Sequence, residues 1–302
     1  MKKNKQSYQA RRQAILGYAF MAPWIIGFLL LTAWPFFYTI YLSFFHVQLM
    51  VTGWELRPVR LDNYHLAFFR NIHFVPNLIG FVIMQLTYTP AITVIAFMLA
   101  LLLNREIKGR GWFRALFFLP VIVMSGPVMN QLMDTGSVGG IGIQGMILLN
   151  MVDQFSDLIA SVMITLFSNF STILWFTGIP IILFLSGLQK IDAGILEAAR
   201  IDSATNWQIL WKITIPIIRP IVLVSVILTI VQISSFTTNP VMPMIQESIF
   251  DTVGGLGQAS AFSWIYAAVI LMLIGVAYLI LKAPKDEVPP EVKRRAKAWN
   301  ER

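Results

Sequence analysis

Six long stretches without a charged side chain constrain this sequence more than any other feature. They cover residues 14–45, 71–104, 115–133, 158–189, 220–246 and 252–281. Each meets the length of roughly 20 residues that a helix needs to cross a bilayer. A soluble domain carries about a quarter charged residues, whereas this chain is 13% charged and 57% hydrophobic. We therefore predict an all-α, polytopic membrane protein with about six transmembrane helices.

Basic residues indicate the orientation of the chain. Of the 23 Lys and Arg residues, all but Arg57, Arg60 and Arg70 lie before residue 14, at 105–114, at 190–219 or from Lys282 onward. Membrane proteins concentrate Lys and Arg in cytoplasmic loops, so we predict that both termini are cytoplasmic and that the net charge of +8 does not indicate nucleic-acid binding. We expect the first helix to be uncleaved, because its apolar run is too long for a secretory signal.

These features divide the chain into four parts. A cytoplasmic arm (residues 1–13) precedes the first transmembrane helix and an outer connection (14–70), in which residues 61–72 are predicted to form a short surface helix. The transmembrane core covers residues 71–282. A charged cytoplasmic tail (283–302) follows, because its prolines cannot continue the last helix.

The apolar runs contain no group that could power transport. They lack the ionisable residues that ion-coupled carriers place near the bilayer midplane. The whole chain also lacks a Gly-rich loop followed by Lys and Ser or Thr, which would bind ATP. We therefore expect a non-catalytic subunit, without cofactor or metal of its own, that is driven by another protein. A self-powered channel, or a carrier that holds sodium through hydroxyls and carbonyls, remains an alternative.

One charged, amphipathic strip interrupts the apolar core. It reads EAARIDSATNWQILWKITIPIIRP at 197–220, and we name residues 190–220 the EAA segment. Asp192 can cap a helix that begins near Ala193, and the small pair Ser203-Ala204 predicts a bend.

A second amphipathic part of the EAA segment follows from Thr205, with Trp207 in its apolar set. Pro216 and Pro220 are expected to end it where the next membrane helix begins. The pattern alone leaves two interpretations open: a compact knob that contacts a partner, or two helices that lie flat on the bilayer.

The strip resembles the EAA loop of binding-protein-dependent ABC importer permeases, in particular those of sugar importers. The matching positions are Glu197, Ala198, Ala199, Ile201, Asp202, Ala204, Trp207, Gln208, Ile213, Thr214 and Pro216. Residues 99–123 also look like the family's join between its second and third helices, and residues 60–69 and 257–265 match more weakly. The family's usual Gly is Ser203 here, so the turn either avoids positive φ or is slightly strained. Residues 240–256 do not resemble the family's outer connection.

The resemblance implies the type I importer fold, with a cytoplasmic coupling helix, in the bacterial cytoplasmic (inner) membrane. It also implies a second permease subunit in a heterodimer, two ATPase subunits that bind ATP and Mg, and an extracytoplasmic solute-binding protein. The residues expected to couple to the ATPase are Glu197, Ala198, Ala199, Arg200, Ile201, Asp202, Ser203, Ala204, Trp207 and Pro216.

Uncharged polar residues in two of the predicted membrane helices are candidates for the substrate pathway. They are Asn169, Thr172 and Trp175 in the fourth helix, and Gln232, Ser235, Thr238 and Asn239 in the fifth. Hydroxyls, amides and an aromatic face suit a sugar, and we expect an oligosaccharide. The alternatives are hydrogen bonds that only join helices, or an importer for another polar solute such as a peptide or a polyol derivative.

Overall fold

A computed structural model describes residues 2–50, 53–104, 170–236, 239–251 and 255–282. The third predicted transmembrane run (115–133), most of the helix join at 99–123 and the predicted tail lie outside these ranges. The chain divides into two compact units, Met1–Val82 with Thr237–Val269 and Ile83–Phe236 with Ile270–Arg302. Each unit is described below by itself.

Helices account for most of the described residues, as the all-α prediction requires. In chain order they are α1 (Lys2–Phe28), α2 (Trp34–Leu42), α3 (Asp62–His65), α4 (Phe74–Asn104), α5 (Phe170–Phe176), α6 (Gly178–Gln189), α7 (Ala193–Ile201), α8 (Asn206–Ile209), α9 (Ile215–Ser234), α10 (Val241–Ile249) and α11 (Gly255–Leu281). Three π-helical turns, Leu29–Ala33, Leu66–Arg70 and Leu210–Thr214, join or extend them. The antiparallel strands β1 (Phe45–Met50) and β2 (Gly53–Pro58) form a hairpin.

Four helical stretches among the described residues are long and apolar enough to cross a membrane. They are Ile15–Leu42, Phe74–Asn104, Asn206–Ser234 and Gly255–Leu281. The pair formed by α6 and α7 would add a fifth by length and composition only, but it is bent by 66°. The count of six therefore stays a prediction, since the third run lies outside the described residues.

The structure corrects the prediction for the fifth run, 220–246. The helix does not begin after Pro216 and Pro220; it begins at Asn206, continues through both prolines and ends at Ser234, and residues Val241–Ile249 form a separate helix. The uncharged run therefore indicated an apolar region correctly but did not indicate where its helices begin and end.

A π turn precedes Pro216, and another precedes Pro35. Proline has no N–H, and its ring clashes with the carbonyl four residues earlier. That carbonyl belongs to Lys212 for Pro216 and to Leu31 for Pro35, each the middle residue of its π turn. Widening the turn there lets one helix pass a proline without breaking. The predicted arm 1–13 is helical, because α1 extends from Lys2 onward.

In the first unit, the outer connection contains the predicted surface helix, formed by α3 and the π turn Leu66–Arg70, and also the hairpin, which was not predicted. Buried Asn63 holds the chain where α2 ends, because its Nδ2 donates to the carbonyl oxygens of Ser43 and Phe45, both at 2.9 Å. The Tyr64 hydroxyl lies 2.8 Å from Ser43 Oγ. These contacts give the weakly matching stretch 60–69 a structural role.

The N-terminal half of α11 packs tightly inside the same unit. Gly255 pairs with Val47 of β1, and a Cβ on Gly257 would overlap the carbonyl oxygen of Phe45. The ring of Phe262 stacks on Phe74 with centroids 4.3 Å apart. The stretch 257–265 therefore contains residues through which α11 contacts β1 and α4.

In the second unit, α4, α6 and α9 pack together next to the end of the EAA segment. A buried apolar cluster unites Ala96 and Ala100 of α4, Phe184 and Leu188 of α6, and Ile218 of α9. Ile218 lies only two residues beyond Pro216, so the end of the EAA segment is anchored directly in this cluster.

Candidate functional site: the EAA segment and the polar helix residues

The first half of the EAA segment is a capped helix that turns away from the apolar helix before it. Asp192 Oδ1 accepts a hydrogen bond of 2.9 Å from the backbone N–H of Gly194, as predicted for the N-cap of α7. The chain bends by 66° between α6 and α7. Since an N-cap fixes where a helix starts, the bend is set locally by the sequence.

The C-terminal end of α7 is a Schellman turn built on Ser203. The N–H of Ser203 donates to the Arg200 carbonyl and the N–H of Ala204 to the Ala199 carbonyl, both at 3.0 Å. The turn requires a left-handed residue, usually glycine, and Ser203 has φ of 60°. Of the two expectations for this position, slight strain is therefore confirmed.

The second half of the EAA segment starts with a capping box. Thr205 Oγ1 accepts from the N–H of Gln208 at 3.3 Å, and Gln208 Oε1 accepts from the N–H of Thr205 at 2.9 Å. This exchange satisfies two backbone donors at once and gives the matched Gln208 a local structural role. The loop between α7 and α8 is therefore fixed on both sides by caps.

Apolar side chains of the EAA segment project outward. Ile201 is 83% exposed and Trp207 is 68% exposed, and the ring of Trp207 lies 5.5 Å from that of Trp211. Glu197 and Ala198 are exposed too, whereas Ala199 is buried. Of the two matched alanines, Ala198 and Ala199, only Ala198 therefore lies on the exposed side.

The other predicted coupling residues surround this surface. Arg200 and Trp207 line a concavity of about 510 Å³ together with Leu101 of α4. Asp202, Ser203 and Ala204 form the turn itself. Pro216 is exposed in the first turn of α9, directly after the π turn. The structure thus brings the coupling candidates together in one compact unit.

The candidates for the substrate pathway are more dispersed. Asn169 and Thr238 lie outside the described residues. Thr172 is buried on α5, and the exposed hydroxyl of Ser235 donates to the Val231 carbonyl at 3.0 Å. Asn239 is fully buried, and its Oδ1 caps α10 through the N–H groups of Val241 and Met242.

Two pathway candidates carry buried polar atoms that lack a hydrogen-bond partner among the described residues, Trp175 Nε1 and Gln232 Oε1. They lie on neighbouring helices, because Ile173 and Phe176 of α5 pack with Ile233 of α9. Buried polar atoms are nearly always satisfied by protein, water or ligand. These two are therefore the pathway candidates best supported by the structure.

Sequence reasoning missed a buried polar network between α4 and α9. Gln85 Nε2 donates to the Ile230 carbonyl at 3.0 Å and to Ser234 Oγ at 3.2 Å. Thr89 Oγ1 donates to Gln85 Oε1 at 2.8 Å. An amide in the middle of the long apolar run of α4 was the available signal, since such residues join helices in membranes.

Acidic and histidine side chains of the described residues form no group of three that could hold a metal ion.

Comparisons with known proteins find relatives among ABC transporter permeases. No protein-family model matches the chain. YesP of Bacillus subtilis (strain 168), a probable ABC transporter permease protein, is 29% identical over 295 residues, which cover 92% of each chain. The permease protein MsmF of a multiple sugar-binding transport system of Streptococcus mutans is 36% identical over 134 residues, 42% of this chain and 43% of MsmF.

A solved structure has the same fold. It belongs to a bacterial alginate ABC transporter in complex with an alginate pentasaccharide-bound periplasmic protein. Its chain aligns with a TM-score of 0.63 and 19% identity, over 91% of this chain and 96% of its own. The likeness to YesP extends over nearly the whole chain, and so does the likeness of fold. The chain is therefore similar to an ABC transporter permease over nearly its whole length, and to a permease of a sugar-transport system over part of it, as the resemblance of the EAA segment predicted.

Proposed function

We propose that this chain is one permease subunit of an ATP-driven, binding-protein-dependent importer of a sugar, most simply an oligosaccharide. In this proposal, the EAA segment is the contact with an ATPase subunit. The observation that carries it is the EAA segment itself: an exposed apolar surface whose two helices, α7 and α8, each start at an N-cap, and which is anchored in the core by Ile218. Large exposed apolar patches mark protein interfaces.

The proposed mechanism requires that the EAA segment and α9 move together as one rigid body. Closure of two ATPase subunits would displace the EAA segments of two permease subunits, and each displacement would pass directly into α9 through the continuous helix Asn206–Ser234. The helices would open outward to receive sugar from a binding protein, and ATP hydrolysis would reset them. ATP and Mg would be held by the ATPase subunits, and both termini of this chain would lie in the cytoplasm of the bacterial cell.

A sugar is the favoured substrate for two reasons. MsmF belongs to a multiple sugar-binding transport system, and the alginate transporter is in complex with a periplasmic protein that holds an alginate pentasaccharide. The side chains of Trp175 and Gln232 add an aromatic face and an unpartnered amide oxygen among the described residues. A phosphorylated substrate would need a basic residue in the pathway, and the membrane runs of the sequence contain none.

The test of coupling uses the complete transporter in proteoliposomes, with uptake of a radiolabelled oligosaccharide and ATP hydrolysis measured together. We expect Glu197→Lys to leave the subunit inserted and to abolish both uptake and substrate-stimulated hydrolysis, because the charge is reversed on the exposed face of α7. Glu247→Lys makes the same change on exposed α10, outside the EAA segment, and should keep the wild-type ratio of sugar moved to ATP hydrolysed. Wild-type uptake by Glu197→Lys would refute the coupling role.

A cross-link distinguishes docking from lipid contact. The sequence has no cysteine, so Ala198→Cys can carry a single photoreactive maleimide. We expect it to cross-link an ATPase subunit, whereas the same probe at Leu279, exposed on α11, should not. The chain reconstituted alone should show no sugar flux. Flux without an ATPase would favour a channel or an ion-coupled carrier.

A further inference from the structure

A groove between three membrane helices has no part in the proposed coupling. It is bounded by α4, α9 and the C-terminal part of α11, has a volume of about 350 Å³, and lies within the second unit. All its lining residues are apolar except Gln85, Thr89 and Thr93. Its size falls within the roughly 300–1,000 Å³ of ligand sites.

The groove has the depth of one leaflet of a bilayer. Its lining runs from Val222 to Ile230 on α9 and from Leu273 to Leu281 on α11. At about 1.5 Å per residue, either stretch covers roughly 12 Å, whereas half of a hydrocarbon core is roughly 15 Å thick. Gln85, hydrogen-bonded to Ile230, lies at the deep end.

Basic side chains lie at the opposite end of the groove. Arg219, one turn before Val222, donates from Nε to the Leu281 carbonyl at 3.1 Å and from Nη2 to the Ile280 carbonyl at 3.3 Å. A guanidinium has five N–H groups, so these two bonds leave further donors. Lys282 is exposed beside them, with Nζ 5.8 Å from the ring centroid of Tyr278.

This end of the groove therefore lies at the level of lipid headgroups. Tyrosine is enriched at the membrane interface, and Tyr278 lies one turn before Lys282 at the end of α11. Arg219 and Lys282 therefore lie at the headgroup level, at one end of an apolar groove that is one leaflet deep. This arrangement suits an anion that carries a hydrocarbon chain. Free phosphate would leave the slot empty, and a zwitterionic headgroup would gain less from the charges.

We propose that this groove binds one acyl chain of an anionic phospholipid, whose phosphate contacts Arg219 and Lys282. The site is independent of the transported solute and of the ATPase. It would place a lipid between α4, α9 and α11, next to the helix that continues from the EAA segment. A helix of a second permease subunit could instead cover the groove, and the test separates these occupants.

The test is photo-cross-linking in the assembled transporter, in phosphatidylcholine bilayers that contain phosphatidylglycerol with a diazirine in one acyl chain. We expect labelled peptides from 222–230 and 273–281. Ala277→Trp should abolish this labelling by filling the groove while both cations remain. Leu279→Trp is the matched control, because Leu279 is 74% exposed on the same helix and does not line the groove; it should label like the wild type.

The headgroup is tested separately. Arg219→Gln together with Lys282→Gln should lower labelling about fivefold or more. Because Arg219 also ties α9 to α11, Lys282→Gln alone gives a second measure, with a smaller loss in the same direction. Soluble glycerol phosphate should not compete, since it has no acyl chain.

Three results would each overturn the proposal. One is equal labelling of Ala277→Trp and Leu279→Trp. Another is equal labelling by diazirine phosphatidylcholine and diazirine phosphatidylglycerol. The third is a cross-link from a photoreactive probe at residue 277 to a second permease subunit, because a protein helix would then fill the groove.

Discussion

Ser203 occupies a backbone position that suits glycine. Its φ is 60°, and the left-handed region costs other residues about 1–2 kcal/mol. Glycine would relieve this strain but would lose more entropy on folding, by roughly 0.5–1 kcal/mol. We expect Ser203→Gly to raise stability by about 0.5–1 kcal/mol, measured as a small increase in Tm of the purified transporter in detergent.

The control for this substitution is Ser203→Ala, which removes the hydroxyl and keeps the left-handed penalty. It should be no more stable than the wild type. If Ser203→Ala were as stable as Ser203→Gly, strain at this position would not explain the difference.

Some contacts of single residues could be predicted from the sequence, and others could not. The caps at Asp192 and Thr205 involve bonds between near neighbours, so local pattern sufficed for the first and would have sufficed for the second. The roles of Asn63 and Gln85 depend on carbonyls that lie 18 to 20 and 145 residues away, respectively. No local pattern could locate those partners.

Among the helices, α9 shows how a proline can be accommodated instead of ending an element. We expect Pro216→Ala to let the π turn Leu210–Thr214 close into a regular helix, because Ala restores the missing N–H. A π turn holds one more residue than an α-helical turn, so its loss would rotate α8 by about 100° relative to α9. Trp207 would then leave the exposed surface that it forms with Trp211. Sugar uptake should fall by tenfold or more, while the subunit remains in the membrane.

Pro220→Ala is the matched control for this change. Pro220 lies inside α9 without an adjacent π turn, so its substitution should leave the orientation of α8 unchanged. Uptake by the two variants would be compared in proteoliposomes at equal amounts of assembled transporter. Equal loss in both would mean that proline itself, and not the π turn, sets the geometry.

The contact of α11 with β1 gives a second prediction at this scale. Ala at Gly257 would place its Cβ against the carbonyl oxygen of Phe45, a backbone atom that cannot rotate away. We expect Gly257→Ala to lower the Tm by several degrees, as steric conflicts in a packed core do. Gly275→Ala on the same helix has no atom within 4 Å of its new Cβ. It should be neutral or slightly stabilising, because Ala favours helix over Gly; a similar loss in both variants would contradict the close approach.

Elements differed in how well sequence predicted them. Lipid burial requires a long apolar run, so four spans could be located from composition alone. The hairpin of β1 and β2 was not predicted, and its bridge from Val47 to Gly255 joins residues that are too far apart along the chain for a local pattern to show. The predicted start of the fifth span was wrong because Pro216 was taken to separate it from the EAA segment, whereas a π turn accommodates this proline and the span begins at Asn206.

At the scale of the whole molecule, the number of membrane crossings can be tested by asking whether it is even or odd. If the first helix and α4 each cross once, Ala198 lies on the same side as the N-terminus only if residues 105–192 cross an even number of times. Two crossings there, by the third and fourth apolar runs, give six in total. A single crossing would give five and reverse the side of the EAA segment.

Single cysteines decide between these arrangements, because the chain has none of its own. We expect a membrane-impermeant maleimide to label Gln6→Cys and Ala198→Cys only in inside-out vesicles, and Glu247→Cys only in spheroplasts, since loops rich in Lys and Arg remain cytoplasmic. A permeant maleimide should label all three in both preparations. If Ala198→Cys reacted from the outside while Gln6→Cys did not, the crossing number would be odd, and no cytoplasmic ATPase could reach the EAA segment.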